Sequence, residues 1–325
     1  METKKRPLVI LTGPTAVGKT RLSIGLAKRL EGEIISADSM QVYRHMDIGS
    51  AKIRPWEMEG VPHHLVDVLE PFEEFHVVRF QQMAKAAMEE IWGRGRIPIL
   101  VGGTGFYIQA VLYDIDFTEE EGDPKLREGL EQIAREQGAE ALHRRLMEVD
   151  PVSAEQIHAN NVKRVIRALE FFALTGEPIS AHNASQRQKE SPYLFAYFVL
   201  NDDRKLLYQR IDQRVEEMLS EGLVEEVQRL RDMGCTRDMG SMQGLGYKEI
   251  LDYLEGRCTL EESVYVLKRD TRHFAKRQLT WFKRERDVLW LDKREYGREE
   301  EQILSAMGKL LRERGICKEF QERLL

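Results

Sequence analysis

Cysteine is scarce in this chain. Cys235, Cys258 and Cys317 are the three present in 325 residues. An odd number at wide spacing gives neither a disulfide framework nor a zinc site. Long apolar runs are missing too, and no stretch approaches the roughly 20 apolar residues that a membrane span needs. Near the N-terminus the apolar run is only Leu8 to Leu11, too short for a signal-peptide core. Repeats and low-complexity segments are lacking. These absences predict a soluble, reduced, cytoplasmic protein. An excess of positive charge is also absent, since the net charge is −6. Taken alone that speaks against a nucleic-acid partner, but distribution matters more than the sum. Residues 268–286 hold eight Lys or Arg against Asp270 and Glu285, a local charge of +6.

What is present is an alternation of short strands and helices. Leu8 to Leu11, stopped by Gly13 and Pro14, reads as a buried strand. Thr20 to Leu30 has helical apolar spacing. Residues 33–36 and 64–68 read as strands, Val77 to Trp92 as a helix, and Ile97 to Val101 as a strand ended by Gly102 and Gly103. This order predicts an α/β fold, a P-loop NTPase-like parallel sheet with helices on both faces. After about residue 115 the pattern changes. The run at 118–123 is acidic and loop-like, and helical periodicity fills 124–176 without a convincing strand. Asn161 is expected to cap a helix from Val162 to Thr175, which Gly176 and Pro178 end. Strand character returns at Leu194 to Leu200, a long helix follows, and the remainder looks mostly helical. The expectation is a discontinuous core of residues 1–115 and 189–325 carrying an all-helical insertion domain at 116–188.

The most specific motif is GPTAVGKT: Gly13, Pro14, Thr15, Ala16, Val17, Gly18, Lys19 and Thr20. It matches the phosphate-loop pattern in full, with a strand before it and a helix after. Its glycines let successive N–H groups point at phosphate oxygens, and the helix N-terminus adds positive potential. Lys19 supplies a full charge, and the Thr20 hydroxyl is a Mg²⁺ ligand candidate. The loop alone leaves open whether phosphate is transferred, hydrolysed or released as diphosphate.

Ligands of such sheets sit beyond the carboxyl ends of the strands. Asp38 lands there after the second strand, suited to accept from a substrate amine or hydroxyl; the Asp-Ser pair reads equally as an Asx turn. GGTGFY, residues 102–107, lands there after the fourth and brings Thr104. Asp67 ends the third strand, where other P-loop proteins hold Mg²⁺ through water. His63 and His64 point to opposite faces of a strand and read as structural.

Taken in order, GPTAVGKT, DSMQVYRHMDIGSAK, GVPHHLVD, GGTGFY, KRVIRALE, QGLGYKE and FAKRQLTWFKR resemble the tRNA dimethylallyltransferases, the bacterial isopentenyl-tRNA transferases of the P-loop class. The resemblance runs from about residue 8 to about residue 291. It implies transfer of the five-carbon group of dimethylallyl diphosphate to the exocyclic amine of the adenosine 3′-adjacent to the anticodon, in tRNAs reading codons that begin with U. Mg²⁺ is implied as cofactor, diphosphate as the leaving group, and the tRNA anticodon stem-loop as partner of a monomer. Asp38 then matches the general base that binds the amine, Thr104 a residue near the reacting groups, and Arg214 an arginine on the diphosphate. Arg210, on the same helix face, reads more as solvated. Asp38, Ser39, Met40 and Gln41 match a tRNA-contacting run. A second such run, on the insertion, is Lys163, Arg164, Val165, Ile166 and Arg167. Gln243, Arg277, Gln278, Trp281 and Arg284 are expected on the tRNA side, where neutralised phosphates drive binding. Asn161 departs from the aspartate expected there. A nucleotide or small-molecule kinase is the alternative, with Asp38 activating a hydroxyl. An RNA-binding NTPase switch is a further one.

Overall fold

The computed structural model describes residues 5–117 and 124–320, so the acidic run at 118–123 lies outside the described residues. The chain forms two compact units, one drawn from Met1–Leu112 and Pro192–Leu325, the other from Tyr113–Ser191.

The first unit opens with β1 (Arg6–Thr12), α1 (Lys19–Leu30), β2 (Glu33–Ser36), β3 (His63–His64), α2 (Val77–Gly93), β4 (Pro98–Gly102) and α3 (Gly105–Leu112). The second unit contributes α4 (Pro124–Gln137), α5 (Ala139–Val149), α6 (Pro151–Gln156), α7 (Val162–Thr175) and α8 (Ile179–Gln188), with no strand among its described residues. The first unit resumes with β5 (Tyr193–Asn201), α9 (Arg204–Ser220), α10 (Leu223–Asp232), α11 (Tyr247–Leu254), α12 (Leu260–Phe282), β6 (Val288–Asp292) and α13 (Glu300–Glu313).

Among the described residues all six strands pair in parallel, in the order β3-β2-β4-β1-β5-β6. The central strand explains the arrangement. Leu8, Val9, Ile10 and Leu11 are all fully buried, which requires cover on both faces because successive side chains point opposite ways. Val9 and Leu11 join Leu22, Ile24 and Leu26 of α1 and Ile303, Leu304 and Met307 of α13 in one core. A second core lies beyond the sheet. Val42, Tyr43 and Met46, from the irregular chain after β2, pack with Val215 of α9, Val227 of α10, Tyr247 and Ile250 of α11 and Leu267 of α12.

Three local expectations need correction. The third strand, expected at 64–68, ends at His64, because Leu65 (φ 62°) and Asp67 (φ 54°) turn into the left-handed region. β6 lies in the stretch expected to be mostly helical. It is an edge strand with Leu291 as its one fully covered residue and Trp290 39% exposed, so it carries little alternation. Asn161 does stand before α7, but its side chain makes no capping hydrogen bond. Gly176 (φ 73°) ends that helix as its left-handed cap.

The second unit has its own core, with Leu142, Leu146, Val165, Ile166 and Leu169 at its centre. Glu170 is buried against it and is matched by Arg127, which donates to both carboxylate oxygens at 2.8 and 2.7 Å. That fork satisfies a charge which would otherwise be costly to bury.

Candidate active site

β1 delivers the chain to the carboxyl edge of the sheet, where the Thr12 hydroxyl donates to the Gly102 carbonyl of β4 at 2.7 Å. The phosphate loop follows. Gly13 (φ 147°) and Gly18 (φ 96°) hold left-handed angles, and a side chain on Gly13 would collide with the Leu200 carbonyl of β5. Gly18 is the N-cap of α1 and offers no side-chain acceptor, and the first turn has no acid. The first-turn N–H groups are therefore suited to an anion. Lys19 Nζ donates to the Gly13 and Pro14 carbonyls at 3.0 and 2.9 Å. Burial pushes its pKa down to about 8, Arg214 adds to that, and Asp38 opposes it. Thr20 is exposed at the start of the helix.

The crossovers after β2 and β4 touch. The Ala37 N–H donates to the Val101 carbonyl at 2.7 Å and the Thr104 N–H to the Ala37 carbonyl at 3.4 Å. Gly102 lies so close to Ala37 that a Cβ would overlap its carbonyl. Asp38 and Thr104 are thereby neighbours, both partly exposed. Asp38 does form the Asx turn, its Oδ1 accepting from the Met40 N–H at 2.8 Å. Among the described residues no other hydrogen bond engages that carboxylate, so the turn and a second task are compatible. Arg214, on α9, sits in the field of Asp38; burial lowers its pKa and Asp38 opposes the shift.

Arg210 is partly exposed but anchored. It donates to buried Asp202 at 2.8 Å, and Arg298 donates to the other oxygen at 3.0 Å. Lys293, just after β6, reaches the loop itself and donates to the Val17 carbonyl at 3.3 Å. No motif in the sequence marks Lys293 as part of the site. Recognising β6 would have exposed it, because it puts Lys293 at the same strand ends as the loop.

Gln278 is buried and inward-facing. Its Oε1 accepts from the Thr15 N–H at 2.9 Å and its Nε2 donates to the Gly103 carbonyl at 3.0 Å. Arg277 and Trp281 are exposed on the same helix and Arg284 in the turn just after it, and with His273, Lys276 and Thr280 they line a groove of about 370 Å³. Glu285 follows directly after the helix, where burial pushes its carboxyl up to about 7, so it is largely neutral only below that pH. Ser39, Met40 and Gln41 are partly exposed and Gln243 is exposed. The Met40 side chain fills the space a side chain on Gly244 would need.

In the second unit Lys163, Arg164 and Arg167 are exposed, whereas Val165 and Ile166 turn into its core, as the spacing of an amphipathic helix demands. Of the five residues expected in that run, three present exposed side chains.

His63 and His64 are accounted for structurally. His63 Nδ1 meets the Val61 carbonyl at 2.8 Å and His64 Nε2 meets Glu33 at 2.7 Å. Asp67 is an ion-pair partner of buried Lys52 at 2.5 Å. No group of three or more His, Cys, Asp or Glu is placed to hold a metal among the described residues. No described helix is long and apolar enough to cross a membrane.

Known proteins are similar to this chain in sequence and fold. A family model described as IPP transferase matches residues 41–285, and one described as isopentenyl transferase matches residues 7–67. The tRNA dimethylallyltransferase of Lachnoclostridium phytofermentans is 65% identical over 313 residues, covering 96% of this chain and 100% of that protein. The crystal structure of the full-length tRNA isopentenylpyrophosphate transferase of Bacillus halodurans is 46% identical, with a TM-score of 0.72 over 96% of this chain and 98% of that one. A eukaryotic dimethylallyltransferase, solved acting on tRNA, superposes with a TM-score of 0.77 at 32% identity, over 88% of this chain and 74% of that one. The matches span the phosphate loop, the Asp38 crossover and the basic helix together, and on that breadth the chain belongs to the IPP transferase family.

Proposed function

We propose that this chain is a tRNA dimethylallyltransferase. It transfers the dimethylallyl group of dimethylallyl diphosphate to the exocyclic N6 amine of the adenosine 3′-adjacent to the anticodon, in tRNAs reading codons that begin with U. One observation carries the reading. A carboxylate with free acceptor capacity, Asp38, lies in the field of Lys19 and Arg214 at the mouth of a phosphate loop. That is the pairing the reaction needs. The bond between the allylic carbon and the diphosphate oxygen breaks, and its electron pair leaves with diphosphate. The N6 lone pair forms the new N–C bond, and the N6 proton passes to Asp38. The adenine amine is a poor nucleophile, so stabilising the leaving group matters as much as the base. The loop amides, Lys19 and Arg214 do that in a preorganised site. Thr104, on the adjoining crossover, serves as a hydrogen-bond partner beside the reacting groups.

A divalent ion fits the residues present, and we take it to be Mg²⁺. The exposed Thr20 hydroxyl begins α1, and no carboxylate cage surrounds it among the described residues. Mg²⁺ commonly takes one or two protein oxygens and completes its shell with substrate phosphates and water. When bound there it neutralises charge on the departing diphosphate. On the RNA side, Ser39, Met40, Gln41, Gln243, Arg277, Trp281 and Arg284 of the first unit, and Lys163, Arg164 and Arg167 of the second, contact an anticodon stem-loop. An adenosine in a loop must leave the stack to react, and RNA recognition generally targets such splayed bases. We place this monomeric enzyme in the cytoplasm with its tRNA.

The test is direct. The protein is incubated with dimethylallyl diphosphate, Mg²⁺ and unmodified tRNA, and the digested RNA is examined by mass spectrometry. Prenylated adenosine 3′ of the anticodon is expected. ATP consumption without any prenylated nucleoside would sink the reading.

A further inference from the structure

We propose that Gln278 is a positioning residue that latches the phosphate loop to the Thr104 crossover and so fixes the leaving group relative to the reacting amine. The inference rests on the prenyl-transfer reading. Its observations are geometric. Gln278 sits on the helix that bears most of the basic groove, yet it is not among the groove's lining residues and is 6% exposed. One end accepts from the Thr15 N–H at 2.9 Å; the other donates to the Gly103 carbonyl at 3.0 Å. Thr15 belongs to the phosphate loop and Gly103 precedes Thr104. A single planar amide therefore spans the two segments that must hold diphosphate and accompany the amine.

The surroundings are built to this contact. A Cβ on Gly103 would overlap Gln278 Nε2, and a Cβ on Gly105 would overlap the Trp281 indole, one turn further along the same helix. Both glycines let the helix close on the crossover. The latch also decides which loop amides are available. Thr15 donates to Gln278, so an incoming anion is left the N–H groups further along the loop, toward Gly18 and Lys19. Near-attack geometry tolerates little error. A shift of the loop against Thr104 should lower the rate even where both substrates bind.

Gln278→Met keeps the length and bulk of the side chain and removes both hydrogen bonds. Gly103→Ala breaks the latch from the other side, and no left-handed φ at Gly103 forbids alanine. Affinity for inorganic diphosphate with Mg²⁺ is read by calorimetry, affinity for an unmodified anticodon stem-loop by fluorescence anisotropy, and kcat by prenylation. We expect either variant to weaken diphosphate binding about tenfold and to lower kcat by about tenfold to a hundredfold, with stem-loop affinity within about twofold of wild type. If one variant fails to fold, the other carries the test. Unchanged diphosphate affinity and kcat in a folded variant overturn the latch. So does weakened stem-loop affinity with diphosphate affinity intact, which would make Gln278 an RNA contact. The calorimetry needs no turnover, so a wild-type protein that prenylates nothing would count against the proposed reaction and not against the latch.

Discussion

The phosphate side and the amine side of this crevice are held by different kinds of contact. The phosphate side is shaped mostly by local contacts, although Gln278 and Lys293 reach it from far along the chain. Gly13 and Gly18 take left-handed angles, Lys19 rests on carbonyls five and six residues back, and α1 begins at once. The amine side is long-range. Residues 38–52 follow β2 without regular structure and are fixed by groups far along the chain. The buried Glu226 carboxylate accepts from the N–H groups of Asp47, Ile48 and Gly49 at 3.0, 2.8 and 3.0 Å. Tyr247 donates to the same carboxylate at 2.9 Å and accepts from the Ser50 N–H at 3.0 Å. Lys52, also buried, donates to Asp47 at 2.6 Å and Asp67 at 2.5 Å. An anion is a simple, symmetric target that eight residues can grip. Placing a carboxylate against one amine of one base takes a folded domain.

That contrast is open to separate attack on each side, and the largest effect is expected at Asp38. Asp38→Asn keeps an oxygen for the Asx turn but abolishes the basicity. We expect kcat to fall by about a hundredfold to ten-thousandfold, with affinity for the stem-loop and for inorganic diphosphate nearly unchanged. Single-turnover prenylation read beside the two binding assays checks this. Wild-type rates in the variant would remove Asp38 from its role.

On the phosphate side, Lys19→Met should cost about a hundredfold to a thousandfold in kcat, the scale of one preorganised donor to a developing anion, and should weaken diphosphate binding. The pH dependence gives a finer reading. Burial holds the free lysine at a pKa of about 8. The ammonium form is the one that binds an anion, so affinity is greatest below that pH and declines as pH rises through it. Calorimetry with inorganic diphosphate should show this decline in the wild type and lose it in Lys19→Met. A persisting decline would assign the titration to another group.

The same division explains what could be read from sequence. The phosphate loop, β1, β2, β4 and β5 are declared by short apolar runs and by glycines whose task is local. Asp38 and Thr104 stand where a parallel sheet puts ligands. β6 stayed hidden because an edge strand buries too little to alternate, and Lys293 stayed hidden with it. Lys163 to Arg167 read as one basic run, yet helical geometry sends Val165 and Ile166 inward. Gln278 read as a tRNA-side residue of a basic segment, whereas its amide bonds inward. Its inward turn depends on Thr15 and Gly103, more than 170 residues away, and no periodicity along the helix reports that. The Glu226 network is invisible for the same reason. A glutamate in the first turn of a helix already has a local explanation in the helix dipole.

Glu226→Gln is therefore the sharpest test of the contrast, though the effect is smaller. Burial raises the Tyr247 phenol well above its usual range, with Glu226 pushing the same way, so the tyrosine remains a donor at ordinary pH. An amide in place of the carboxylate presents one acceptor oxygen and an NH₂ group to a cluster of N–H and O–H donors. At least one donor loses its partner, at about 1–3 kcal/mol for each buried group left unsatisfied. Tyr247→Phe, which removes one hydroxyl, should cost about 1 kcal/mol. Urea denaturation measures both. If the two sides are held independently, either variant should lower kcat/KM for tRNA while leaving the affinity for inorganic diphosphate within about twofold, since the phosphate loop touches neither residue and binding energies at separate sites add. A loss of diphosphate affinity as large as that in Lys19→Met would mean that the loop depends on the amine side for its shape, and that the two halves of the crevice form a single unit.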